Sequence, residues 1–149
     1  MMEEVYDYTP EELKKLGDAI VWTCILAAVH QDGVIHESEK AEAIKQTHIR
    51  SFTAPDYLKP IYKHLDQHFE RDFEAYSALL PEDHEQREEF IQTKLQEALS
   101  ILPSIGPLFT KRFSKDLKDI YNRVFRADSN VFQYFAFPII SAHLEKFGL

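Results

Sequence analysis

Residues 19–29 read Ala19-Ile20-Val21-Trp22-Thr23-Cys24-Ile25-Leu26-Ala27-Ala28-Val29, the longest nearly apolar run in the chain. A run of this length is too short to cross a bilayer as a helix, so it predicts a buried helix and not a membrane span. It continues an apolar pattern that begins at Leu13 and Leu16 and recurs with helical spacing. We therefore expect this helix to be buried on much of its surface.

Both ends of this first helix carry residues that start and stop helices. At its start, Thr9-Pro10-Glu11-Glu12 offers a capping hydroxyl, a proline suited to the first helical position and a glutamate that completes a capping box. At its end, Gln31-Asp32-Gly33 supplies a turn. The sequence therefore predicts one long helix between these two signals.

The rest of the chain shows the same helical spacing, and only four of its 149 residues are glycine. We predict further helices at residues 37–50, 55–80, 90–102, 113–124 and 131–147. Pro60 and Pro138 lie inside two of these segments and are each expected to bend the helix or displace its start. Residues 103–107, Pro-Ser-Ile-Gly-Pro, form the clearest break. The predicted fold is all-α, a single domain over residues 1–149 that forms one bundle of about seven helices.

Composition and charge exclude several classes of protein. The chain has 17 Lys and Arg against 25 Asp and Glu, a net charge of -8, so it does not bind nucleic acid through bulk positive charge. Its single cysteine, Cys24, excludes an internal disulfide, and its place in the apolar pattern predicts a buried structural residue. The first residues, Met-Met-Glu-Glu, are acidic where a secretory signal would be basic. We expect a cytoplasmic protein with no nucleic-acid partner.

The segment between the first two helices carries most of the functional signal. Residues 32–39 read Asp-Gly-Val-Ile-His-Glu-Ser-Glu, with an acid before the turn glycine and Glu39 at the start of the next helix. This order is typical of the second half of a calcium-binding helix-loop-helix, but Ala28 and His30 stand where two further acids would be needed. A calcium site built from oxygen ligands is therefore not expected.

Two hypotheses remain for this segment. In the first, Asp32 and Glu39 bind a divalent cation with help from His30 and His36, whose imidazoles would favour a transition metal such as zinc. In the second, no metal is involved. Asp32 then caps the turn, Gly33 supplies a positive φ, and Glu39 complements the helix dipole.

Residues 27–39 resemble the TerB-like, tellurite-resistance-associated family. The pattern of that family is an alanine-rich helix that runs into an Ala-Asp-Gly-x-Ile-x-x-x-Glu turn, and here Gln31 stands in place of the alanine. The resemblance implies an all-helical fold built from two helical hairpins, with a divalent metal held by the acidic turn residues. It also implies a link to metal stress and to membrane-associated complexes.

A second, degenerate copy of the turn lies near the end of the chain. Residues 127–131 read Ala-Asp-Ser-Asn-Val, and the offset that takes Asp32 to Asp128 pairs apolar positions with apolar positions. The pairs are Val21 with Leu117, Cys24 with Ile120, Ile25 with Tyr121, Ala28 with Val124, Ile35 with Val131 and Ile44 with Ile140. In this copy Phe135 stands where the first has Glu39, so a second metal site is not expected. We predict two pseudo-repeated helix-turn-helix hairpins that share one core.

A second candidate metal site comes from three polar residues in the predicted helix 55–80. His64, His68 and Asp72 follow at four-residue intervals, which would place two imidazoles and a carboxylate on one face, as zinc sites require. The residue after His64 is Leu65, so the glutamate that serves as general base in zinc peptidases is missing. The alternative is a solvated polar face of a helix.

Two further stretches are candidate surfaces for partners. Residues 110–126 hold six Lys and Arg against two Asp, whereas residues 1–12 hold five acids and no base. This asymmetry would suit an acidic partner, anionic lipid headgroups or a second copy of the chain, and its alternative is a helix face balanced by the acidic segments. The aromatic residues of 131–137 are expected either to fill the core or to form a partner surface.

No phosphate-binding glycine loop, serine elbow or dinucleotide motif is present in the sequence. We therefore predict a non-enzymatic, TerB-like binding or scaffold module that has a protein partner and can bind one divalent metal ion. The predicted metal ligands are Asp32, Glu39, His36 and His30. The alternatives are a metal-dependent hydrolase or sensor that uses His64, His68 and Asp72, and a purely structural homodimer. Peripheral membrane contact and homo-oligomerisation stay open.

Overall fold

The structure, a computed structural model, describes residues 7–30 and 33–127 of the chain. These residues form the helices α1 (Pro10–Val29), α2 (Glu37–Thr53), α3 (Lys59–Asp66), α4 (Phe69–Ser77), α5 (His84–Leu99), α6 (Leu102–Ile105) and α7 (Pro107–Arg126). No β-strand occurs in the described residues. The predicted all-α class is confirmed for them. The helix count of the whole chain stays a prediction, because the predicted helix 131–147 lies outside the described residues.

Helix α1 is the centre of the bundle. From Leu16 to Val29 every residue except Asp18 is buried, and the helix contacts α5, α7, α3, α4 and α2. A helix that is apolar on nearly all sides is stable only when other elements surround it. At its start, the Thr9 Oγ1 accepts from the Glu12 N–H at 3.1 Å, and the Glu12 Oε1 accepts from the Thr9 N–H at 2.8 Å. The predicted buried helix and its capping box are both confirmed.

The predicted single helix over residues 55–80 is wrong. The structure places two helices there, α3 and α4, with a break at Gln67 and His68, where His68 has the non-helical angles φ -143° and ψ 13°. Pro60 lies in the first turn of α3, where its missing N–H costs no hydrogen bond, so the proline displaced the helix start as predicted. Both short helices contact α1 and α2.

The boundaries around α5, α6 and α7 also differ from the sequence expectation. Helix α5 begins at His84 rather than near residue 90, because the Asp83 side chain caps it by accepting from the Gln86 N–H at 3.2 Å. The predicted break at 103–107 is partly helical and contains the single turn α6. Gly106, with φ 131°, then separates α6 from α7, which starts at Pro107.

Helix α7 supplies the first half of the second predicted hairpin. Its residues Leu117, Ile120, Tyr121 and Val124 are all fully buried, as are the α1 residues that the repeat pairs with them. The turn at 128–131 lies outside the described residues, so the equivalence of the two turns stays a prediction. Within the described part of the chain, no helix has the length and apolarity needed to cross a membrane.

Candidate functional site

The turn after α1 is held in place by the start of α5. Gly33 has φ 79° and its N–H donates to the Val29 carbonyl at 2.7 Å. The Arg87 guanidinium donates to the carbonyl of Gly33 and, at 2.6 Å, to that of Pro81. The ring of His84 lies directly over Gly33. Two side chains of α5 therefore contact Gly33, the turn glycine of the segment that carried the functional signal in the sequence.

Glu39, a predicted metal ligand, takes part in the start of α2. It is the third residue of the helix, and its Oε1 accepts from the backbone N–H of His36 at 2.8 Å. The residue is fully buried. This is the reciprocal half of a capping box, in which a glutamate accepts from a backbone N–H at the helix start that has no acceptor within the helix. Glu39 therefore has a folding role that the sequence interpretation as a metal ligand did not include.

We expect Glu39→Ala to lower the free energy of unfolding by about 1–2 kcal/mol, because the His36 N–H then loses its acceptor inside the protein. Glu39→Gln keeps an acceptor oxygen of the same reach and should cost less than half as much. Urea unfolding of the two variants and the wild type measures both values. Equal losses in the two variants would contradict the capping role.

His30, a second predicted ligand, faces α5. Its Nδ1 lies 3.8 Å from the Glu88 Oε1, and the two residues line a small cavity of about 10 Å³ together with His84 and Arg87. Burial lowers the pKa of His30, the Glu88 carboxylate raises it and His84 lowers it, and the net direction is downward. The histidine is therefore more readily protonated in the unfolded chain than in the native protein.

This shift gives the stability of the protein a pH dependence of defined sign. Because the unfolded state binds a proton at His30 more readily, stability falls as the pH drops below the unfolded value of about 6.5, and the loss is complete below the lower native pKa. One titrating group can change the free energy of unfolding by at most about 1.4 kcal/mol per pH unit. Urea unfolding at pH 7.5 and 5.5 should show a smaller pH difference in His30→Gln than in the wild type. The same difference in both proteins would show that His30 contributes nothing.

Among the described residues, the structure shows no cluster formed by the predicted metal ligands. Asp32 lies outside the described residues. In residues 7–30 and 33–127, no three His, Cys, Asp or Glu side chains are arranged so that they could hold a metal ion. His30 faces α5, whereas Glu39 caps α2 with one of its oxygens. The described part of the chain therefore shows no such group of ligands, and the metal site that includes Asp32 stays a prediction.

The second candidate site is divided between two helices. His64 lies in α3, His68 lies at the break and Asp72 lies in α4, so they do not share the single helix face that the sequence predicted. The His68 Nδ1 and the Asp72 Oδ2 are 2.5 Å apart. The rings of His64 and His68 pack edge to face, with their centroids 5.0 Å apart. The His68–Asp72 pair joins the break to the first turn of α4, which is a structural contact.

Cys24 and its surroundings contain a polar network that the sequence did not predict. Burial raises the pKa of the Cys24 thiol far above its usual value, which keeps it protonated and inert. Near it, Arg50 of α2 contacts two carboxylates of α7, through Nη1 to the Asp116 Oδ1 and through Nη2 to the Asp119 Oδ2, each at 2.5 Å. The hydroxyl of Tyr62 in α3 donates to the second Asp116 oxygen, also at 2.5 Å. The network ties α2, α3 and α7 together.

These contacts change the interpretation of the charged helix face. Asp116 and Asp119, the two acids within residues 110–126, are paired with Arg50 of α2. Burial raises the pKa of Asp116 even though Arg50 and the Tyr62 hydroxyl lower it, so this carboxylate depends on its partners for its charge. The attraction of the face for an acidic partner or lipid stays a prediction.

An open groove lies between α1, α5 and the end of α4. It has a volume of about 220 Å³, and we call it the Trp22 groove. Its lining residues are Lys15, Asp18, Trp22, Tyr76, Leu79, Lys94, Glu97 and Ala98. Trp22 is 4% exposed and lies parallel to the Tyr76 ring, with centroids 5.0 Å apart. The lining holds two lysines and two carboxylates, and Asp18 and Glu97 already contact Lys14 and Lys94, so Lys15 is the lining cation that can attract a negative charge beside a flat apolar group.

Hydrogen bonds hold the aromatic floor of the Trp22 groove in one position. The Tyr76 hydroxyl donates to the Asp18 Oδ1 at 2.6 Å, and the Lys14 Nζ lies 3.2 Å from the other Asp18 oxygen. Burial and the Asp18 carboxylate raise the pKa of Tyr76 to about 12, so its hydroxyl remains a donor at neutral pH. The Asp18 carboxylate is thus already paired with the Tyr76 hydroxyl and with Lys14.

The sequence did not predict this groove. Trp22 was assigned to the apolar run and Tyr76 to a separate predicted helix, and no local pattern links residues so far apart in the chain. The available signal was that Asp18 and Lys15 precede Trp22 by four and seven residues, which places them on the same face of α1.

Comparison of the chain with models of protein families, with curated protein sequences and with solved structures finds no match. Its function is therefore inferred from its own residues.

Proposed function

We propose that this chain is a non-enzymatic, TerB-like helical module that binds a ligand in the Trp22 groove. The observation that carries the proposal is the stacked Trp22 and Tyr76 pair at the floor of a solvent-open groove, with Lys15 and Lys94 in its lining. Binding sites typically combine an apolar, aromatic lining with a few polar groups that orient the ligand.

The volume of the groove limits what it can take. A ligand pocket for a drug-sized molecule has about 300–1,000 Å³, whereas an apolar cavity of about 150 Å³ holds a benzene molecule. The 220 Å³ of the Trp22 groove therefore suits one aromatic or branched aliphatic group, with the remainder of the ligand outside it.

The test uses the only tryptophan of the chain as its reporter. The probe is 8-anilinonaphthalene-1-sulfonate, which combines flat rings with one negative charge. We expect it to bind with a change in Trp22 emission and with energy transfer from Trp22 to the dye. Ala98→Leu, which adds a larger side chain to the lining, should weaken this binding at least tenfold.

Two controls make the result specific to the groove. Ala41→Leu adds the same side chain at an exposed position of α2 and should leave dye binding unchanged. Lys94→Gln leaves the core intact and should weaken binding severalfold at low salt, because one lining charge is lost. Equal dye affinity in Ala98→Leu and the wild type would contradict the proposal.

The TerB-like part of the proposal rests on the turn between α1 and α2. A glycine with a positive φ follows a long buried helix, and a glutamate stands in the first turn of the next helix, as the resemblance implies. Residence in the cytoplasm and a role in metal or tellurite stress belong to the same proposal. The hydrolase or sensor alternative is less well supported, because His68 and Asp72 pair with each other.

A further inference from the structure

A second, wider cavity lies next to the Trp22 groove along α1. That cavity has a volume of about 450 Å³ and shares Lys15 with the Trp22 groove. Its other lining residues come from the start of α1 and from the end of α5 and the beginning of α6. On α1 the lining runs from Trp22 back to Thr9, a distance of about 20 Å at 1.5 Å per residue.

The charge along this line changes sign once, between Lys15 and the two glutamates of the outer cavity. The aromatic floor at Trp22 comes first, the cation Lys15 lies at the junction, and Glu11 and Glu12 line the outer cavity. Lys15 has no ion-pair partner among the described residues, whereas Lys94 lies 3.8 Å from Glu97. Lys15 is therefore the charge in the groove that a ligand can best neutralise.

We propose that the occupant of this extended groove is a stretched peptide segment of a partner protein, and this inference rests on the proposed function. Its apolar side chain enters the Trp22 groove, an acidic side chain pairs with Lys15, and a basic side chain faces Glu11 and Glu12. A length of about 20 Å and a single ring-sized pocket fit a short extended segment better than a compact molecule.

The helix geometry fixes the spacing of these three side chains. Lys15 is seven residues from Trp22, about 10 Å along α1, and Glu11 is four residues further, about 6 Å. An extended peptide advances about 3.3 Å per residue. The acidic residue therefore stands about three positions from the apolar anchor, and the basic residue about two positions beyond it.

The closing experiment uses designed peptides and the full chain. The probe is acetyl-Ser-Phe-Ser-Ser-Glu-Ser-Lys-Ser-amide, together with the same residues in reverse order, since the groove does not fix the direction. Binding is measured through Trp22 emission and checked by displacement of 8-anilinonaphthalene-1-sulfonate. We expect one of the two peptides to bind at least fivefold more tightly than its version with Glu and Lys exchanged. Replacement of Phe by Ser should abolish binding.

A charge-reversal variant makes the assignment of Lys15 specific. In Lys15→Glu the order of affinities should invert, so that the exchanged peptide binds more tightly than the original. Lys111→Glu on α7 is the matched control, and it should leave the order unchanged. An unchanged order in Lys15→Glu would overturn the inference.

The outcomes separate this inference from the proposed function. Dye binding that is lost in Ala98→Leu, combined with no peptide binding, overturns the peptide inference and leaves the groove as a small-ligand site. Absence of dye binding overturns both. Sedimentation that shows a dimer in the wild type and a monomer in Ala98→Leu overturns the inference in favour of a second copy of the chain.

Discussion

The Arg50→Ala variant is expected to unfold with a free energy about 3–5 kcal/mol below that of the wild type. Arg50 is 14% exposed at its side chain and contacts the Asp116 carboxylate, which is 10% exposed. Its removal leaves a buried carboxylate with the Tyr62 hydroxyl as its remaining described partner. An uncompensated charge inside a protein costs far more than the net value of the pair that it came from.

Two variants in the same network separate this effect from a general loss of contacts. Asp119→Ala removes the outer carboxylate, which is 51% exposed, and should cost at most about 1 kcal/mol because water screens that pair. Tyr62→Phe keeps the ring and removes one donor to Asp116, and we expect a loss of about 1–2 kcal/mol. Urea unfolding followed by circular dichroism gives all three values. An Arg50→Ala loss as small as that of Asp119→Ala would contradict the account of the network.

The Gly33→Ala variant is expected to lose about 2–5 kcal/mol of unfolding free energy. A residue with a Cβ at φ 79° costs about 1–2 kcal/mol. The Cβ itself would stand 2.5 Å from the His84 Cε1, so the ring must move, and crowding of this kind adds about 1–3 kcal/mol.

A double mutant divides this loss into its two parts. His84→Ala removes the ring that the new Cβ would meet but leaves the backbone angle unchanged. In Gly33→Ala/His84→Ala we therefore expect the loss caused by the glycine substitution to fall to about 1–2 kcal/mol. If the loss is the same with and without the His84 ring, the turn is not braced by α5 in the way described.

The sequence predicted the parts of the fold that are encoded locally. Helix α1 was predicted correctly because its capping box, its proline and its apolar spacing all stand within residues 9–29. The break between α3 and α4 was missed because Ile61, Leu65, Phe69 and Phe73 keep a four-residue spacing straight through it. The start of α5 was missed because its first turns are polar and exposed.

The candidate site was predictable only in part. The spacing from His36 to Glu39 is that of a capping box, but histidine is an uncommon first member, so the pattern supported a metal interpretation equally well. The Arg50–Asp116 contact joins residues 66 positions apart, and the Tyr76–Asp18 contact joins residues 58 apart. Such contacts follow from the packing of helices and have no signature in the sequence.

The most direct test of the proposed function is a set of amide ¹⁵N–¹H spectra of the labelled full chain during titration with 8-anilinonaphthalene-1-sulfonate. We expect the largest shifts at residues 15, 18 and 22 of α1, at 76 and 79, and at 94–98 of α5, with little change at residues 33–39. Shifts centred on residues 33–39, with the α1 and α5 positions unchanged, would contradict the assignment of the Trp22 groove as the binding site.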